Sequence, residues 1–119
     1  MSLCILGLAQ QVVIPAVVVS LGWTHSVEGT RWEETWRVGD NRIEIIGARI
    51  KGSGAGMEVP PGAVLIDGWW EYRPATAPLR QVVLAASGAT RGGWTLCWRG
   101  GCRLLGAEPG PPITLRPCT

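Results

Sequence analysis

Apolar and polar residues alternate with a period of two along much of the chain. In Arg31–Val38, alternation puts Trp32, Glu34, Trp36 and Val38 on one side and Glu33, Thr35 and Arg37 on the other. Trp94, Leu96 and Trp98 likewise share a face opposite Thr95 and Cys97. Gly and Pro punctuate the chain so densely that the longest stretches free of both are nine residues, Thr30–Val38 and Leu79–Ser87. An average α-helix is longer than either. The pattern predicts strands at about 3–9, 16–27, 31–38, 42–50, 64–66, 69–73, 81–86, 94–98, 102–105 and 113–116. Turn chemistry separates them. Gly39-Asp40-Asn41 suits one hairpin, Asp67-Gly68 between apolar flanks a second, and Arg99-Gly100 a third. The reading is all-β, an antiparallel β-sandwich or small barrel of about 8–10 short strands with little or no helix, with residues 1–119 as a single domain.

Composition narrows the function classes. The 119 residues are 46% hydrophobic and 17% charged with a net charge of +2, too apolar for disorder and too weakly basic for a nucleic-acid binder. Seven Trp accompany one Tyr and no Phe. A GC-rich genome favours Trp, Arg, Gly and Pro codons, so this bias needs no ligand to explain it. Alternation lets Trp32, Trp36, Trp94 and Trp98 fill a β core, whereas the neighbours Trp69 and Trp70 face opposite ways and cannot both be buried in a two-layer sandwich. The first charged side chain after the start is Glu28, yet no basic residue precedes Arg31 and Pro15 interrupts the apolar stretch. The segment therefore reads as short strands over Leu3–Ala9 and Val12–Leu21 rather than as an export signal, and no transmembrane span is expected.

The residues that carry chemistry are few. A regular hairpin puts Cys97 and Cys102 opposite each other at disulfide range, which leaves Cys4 to pair with Cys118. Free thiols, or a zinc site using these cysteines and His25, are the alternatives, although the close C-x-x-C pairs usual in structural zinc sites are missing. His25 is the single histidine, and on a strand it faces away from Ser26, which excludes a local triad; Glu28 shares the Ser26 side. The Gly52-Ser53-Gly54-Ala55-Gly56 run lacks both the helix that a dinucleotide fingerprint opens and the Lys of a P-loop. It reads as a connecting loop able to present backbone N–H groups to an anion. No metal or cofactor is expected.

Five segments in order, Trp23-Thr24-His25-Ser26-Val27-Glu28, Trp32-Glu33-Glu34, Gly52–Met57, Gly68-Trp69-Trp70 and Leu96–Cys102, resemble the bacterial domain-of-unknown-function family 1850 over about residues 3–105. Members are small proteins, often encoded beside TRAP-type transporters that use TAXI-type solute-binding proteins, and no activity is established for them. The resemblance implies an accessory role at a transporter in the envelope. Together with disulfides it favours a periplasmic or envelope-associated location over a cytoplasmic one. The expected function is thus a non-enzymatic accessory or binding domain for a transporter component or small ligand. Its candidate cleft takes in His25, Ser26, Glu28, Ser53, Gly54, Gly56, Met57, Trp69 and Trp70. A hydrolase using His25 as base, or Glu28 and Glu33 as acid and base, is one alternative. A structural or oligomerising domain with no small-molecule site is the other.

Overall fold

A computed structural model describes residues 1–25, 30–52, 59–86 and 90–118. Its eleven strands are β1 (Ser2–Leu6), β2 (Val12–Pro15), β3 (Val18–His25), β4 (Arg31–Val38), β5 (Ile43–Lys51), β6 (Val64–Ile66), β7 (Trp69–Tyr72), β8 (Val82–Leu84), β9 (Thr90–Trp98), β10 (Gly101–Leu105) and β11 (Ile113–Cys118). They form two sheets with orders β2-β1-β11-β8 and β10-β9-β3-β4-β5-β7-β6, and every pairing is antiparallel. The architecture is a sandwich. Each sheet keeps two edge strands, so the closed-barrel alternative does not hold.

The three hairpin turns fall where the residue chemistry puts them. Asp67 and Gly68 both take positive φ, 50° and 85°, the conformation of a two-residue turn that matches strand twist. Asn41 takes φ 62° in the β4–β5 connection, which Gly39 N–H closes by donating to the Arg42 carbonyl at 2.8 Å. Two departures from the expected strands have local causes. The first is at the N-terminal side, where the apolar run to His25 is divided between sheets: β2 belongs to the small sheet and β3 to the large one, with Ala16 and Val17 between them. The second is that β9 starts at Thr90 rather than Trp94. Gly92 and Gly93, at φ 75° and 77°, are accommodated as extra residues between the pairs Gly22↔Thr95 and Thr24↔Arg91. A Cβ on Gly93 would lie 2.6 Å from the Leu105 carbonyl oxygen, so only glycine lets β9 pass so close to the end of β10.

The inner faces meet in one core. Leu3, Ile5, Ile14, Leu84, Ile113 and Leu115 of the small sheet pack with Val19, Leu21, Trp36, Val38, Ile43, Ile45 and Leu96 of the large one, all buried. Of the four tryptophans expected in the core, only Trp36 is buried, at 6% exposure; Trp32, Trp94 and Trp98 stay half-buried on the same face. An indole is large enough to keep contact with water near the rim of a sheet even when most of its surface is covered.

Both cysteine pairs are disulfides. Cys97 and Cys102 are directly opposite in the β9–β10 register, with Cα atoms 4.0 Å apart, as suits a non-hydrogen-bonded antiparallel pair. Cys4 and Cys118 sit diagonally across β1 and β11 with Cα atoms 5.7 Å apart, and Cys4 is buried. A cross-link closing a long loop removes more entropy from the unfolded chain than one closing a short loop. With sequence separations of 114 and 5, replacing Cys4 and Cys118 together by Ala is expected to lower unfolding free energy by about 4 to 5 kcal/mol, against about 2 kcal/mol for Cys97 and Cys102. Urea unfolding of the two double variants measures the difference.

Candidate functional site

One lateral row of backbone pairs, Thr24↔Arg31↔Lys51↔Trp69, runs across β3, β4, β5 and β7. The end of β3 at His25, the start of the loop after Gly52 and the Trp69-Trp70 pair therefore gather at one end of the large sheet. His25 is the last residue of β3 and pairs with Thr90. Ser26, Glu28, Ser53, Gly54, Gly56 and Met57 lie outside the described residues. Thr30 abuts Gly52 so closely that a Cβ on Gly52 would stand 3.3 Å from the Thr30 methyl group, and the Thr30 hydroxyl is buried without a hydrogen-bond partner among the described residues.

Alternation splits Trp69 from Trp70. Both are half-buried, Trp69 on the outer face and Trp70 on the inner one. On the inner face a second row, Trp23↔Trp32↔Ile50↔Trp70↔Leu65, lies one residue in from the end. Trp23 stacks on Trp32 with ring centroids 6.0 Å apart and planes 12° from parallel, and meets Trp94 at 4.9 Å in a tilted contact. The indole N–H groups differ in how they are satisfied. Trp94 donates to the Ala85 carbonyl at 3.0 Å and Trp36 to the Glu34 carboxylate at 3.2 Å. Among the described residues the Trp32 N–H is buried with no acceptor, an arrangement that costs about 1–3 kcal/mol of lost hydration.

The next inner row, Leu21↔Glu34↔Ala48↔Tyr72, brings a carboxylate among apolar neighbours. Burial pushes the Glu34 pKa up, partly offset by the Trp36 hydrogen bond. Burial and the nearby Glu34 charge raise that of Tyr72. Glu34 and Tyr72 were not among the residues that sequence singled out for a site. The signal for Glu34 was present all the same, since an acid shared its strand face with Trp32, Trp36 and Val38.

The outer face at this end is ionic. Arg49 bonds Glu33 at 2.7 Å and covers the Trp69 ring at 4.0 Å, Lys51 stands 5.6 Å from that ring, and Arg31 approaches Glu33 at 3.8 Å. Beside them a shallow cavity of about 370 Å³ is lined by Glu33, Thr35, Gly47, Arg49, Ile66 and Glu71, among others. Among the described residues, no group of three or more His, Cys, Asp and Glu side chains is placed to hold a metal ion, and no helix is long and apolar enough to cross a membrane.

Residues 19–105, from β3 through β10, match the family described as Domain of unknown function (DUF1850). The chain belongs to that family. The match starts at Val19, not near residue 3, so β1, β2 and β11 fall outside the span that defines the DUF1850 domain. All of the tryptophan-rich end falls inside it. No curated protein and no solved structure is significantly similar to this DUF1850 chain.

The raised pKa of Glu34 has a thermodynamic consequence. The folded domain holds the Glu34 proton more tightly than the unfolded chain does, so stability from this group falls as pH rises from the ordinary carboxylate value through the raised one. Glu34→Gln keeps an acceptor for the Trp36 N–H and removes the titration. The variant is expected to be more stable than the parent at neutral pH, with the difference shrinking on acidification, as urea midpoints across a pH series will measure.

Proposed function

We propose that this DUF1850 chain is a non-enzymatic binding or accessory domain that engages its ligand or partner at the tryptophan-rich end of the large sheet. The observation that carries the reading is the Trp32 N–H, buried without an acceptor among the described residues, on a ring that stacks on Trp23, with Trp94 in tilted contact with Trp23. A ring compound with a hydrogen-bond acceptor, such as a sugar, would cover the indole faces and, by displacing the side chains that now cover it, satisfy that donor. Supporting this reading, the backbone row Thr24↔Arg31↔Lys51↔Trp69 brings the end of β3 and the end of β5 to the same edge as Trp69.

The finer reading is an accessory role to a TRAP-type transporter, in the periplasm or at the envelope. Two disulfides favour an oxidising compartment. His25 and Glu28 are assigned to partner contact because, with Ser26, they are the polar groups usable at a site in the segment that follows the apolar run to Trp23.

Two measurements test these levels separately. Titrating the parent with a panel of mono- and disaccharides should quench tryptophan emission saturably, and Trp32→Phe, which deletes the donor, should weaken the best sugar by roughly tenfold, the worth of one hydrogen bond of about 1.4 kcal/mol. A flat response across the panel would remove the ligand reading. For the partner reading, a His25→Ala/Glu28→Ala variant should lose co-purification with the transporter's solute-binding component while keeping the parent melting temperature. A large fall in melting temperature instead would mark these residues as structural.

A further inference from the structure

The opposite end of the sandwich carries a different chemistry. There the β4–β5 turn, the segment entering β8 and the last strand close around a cleft of about 930 Å³, at the upper end of the range for small-molecule sites. Its lining includes three arginines, Arg42, Arg80 and Arg116, against a single acidic side chain, Asp40. Among the described residues, no carboxylate lies within ion-pair distance of any of the three; the one polar contact recorded for them is Arg42 Nη1 donating to the Asn41 carbonyl at 2.9 Å. Elsewhere four arginines are paired two to one acid, Arg31 and Arg49 on Glu33 and Arg37 and Arg73 on Glu44, while Arg99 and Arg103 on the β9–β10 hairpin make no ion pair among the described residues. The cleft is where positive charge is gathered and left without such a partner.

The backbones that carry these side chains are anchored from three directions. Arg42 is held by the Gly39 N–H bonded to its own carbonyl. Arg80 follows Leu79, which exchanges two backbone hydrogen bonds with Ile43 at 2.7 and 2.8 Å. Arg116 pairs with Cys4 in the register of β1 and β11, two residues before the disulfide at Cys118. Like charges brought together on fixed backbone repel, and a bound anion relieves that repulsion while using the fork geometry of each guanidinium.

We propose that this cleft binds a small polyanion, a molecule carrying two or more carboxylate or phosphate groups that bridge Arg42, Arg80 and Arg116. Both sheets contribute to the site, and the Cys4–Cys118 disulfide fixes the strand that supplies Arg116. The proposal is independent of the tryptophan-rich end.

Calorimetric titration of the full chain with citrate and with inorganic pyrophosphate, in a low-salt buffer free of multivalent anions, tests it. At least one probe should bind with an affinity that falls as sodium chloride is added, and the stronger of the two identifies the carboxylate or phosphate arm. Arg80→Gln and Arg116→Gln, both at exposed positions, should each weaken that probe by roughly tenfold. Arg103→Gln, on exposed β10 outside the cleft, should leave it unchanged. Absence of heat with both probes, or an equal loss in all three variants, overturns the proposal. Far-UV circular dichroism of each variant confirms that the fold is retained.

Discussion

The pairing of β1 with β11 is the constraint on which the sandwich rests. β11 is the one strand of the small sheet that touches both β1 and β8, and β2 reaches the sheet only through β1. Without that contact no second layer exists, and Val19, Leu21, Trp36 and Leu96 on the large sheet would face water. At roughly 1.5–3 kcal/mol for each fully buried large side chain, the inner face cannot tolerate being bare. The Cys4–Cys118 disulfide holds the two strands together across nearly the whole chain length. Three of the four strands of this covering layer lie outside the span matched to the DUF1850 family.

The two ends of the large sheet differ because the register divides its residues by chemistry. Toward the ends of β3 and β5, inner positions are aromatic or aliphatic and outer ones are charged. Glu34 is the exception on the inner side, and its proton affinity reflects the company it keeps. At the far end the turn residues Asp40, Asn41 and Arg42 and the crossing segment at Arg80 replace apolar side chains with polar ones. A net charge of +2 conceals this separation, since the basic residues are spread through the sequence and come together only through the fold.

Much of the architecture could be read from local rules. β4 and β6 have the limits that alternation set, because their flanks carry Gly, Asp and Asn in turn positions. The cysteine pairing followed from the Arg99-Gly100 turn, which fixes which β9 residue faces which β10 residue. The transfer of the chain between sheets around Ala16 was not legible, because Val12–Ile14 and Val17–Val19 are equally apolar and nothing local says which layer each joins. Gly92 and Gly93 hid the first part of β9 for a related reason: glycine pairs usually end strands, and here long-range pairing with β3 absorbs them as a bulge. For the site, neighbouring residues such as Trp69 and Trp70 were visible as a pair, whereas the meeting of Trp23, Trp32 and Trp94 requires three strands in register. The arginine cleft depends on tertiary closure alone.

Because Cys4 and Cys118 lie on adjacent strands, the disulfide also determines how the domain carries mechanical load. Tension applied to the chain on either side of these residues passes straight across the sulfur bridge. The residues between Cys4 and Cys118 then carry none of it, and only the short stretch of β1 before Cys4, Ser2 and Leu3, lies on the loaded side of the bridge.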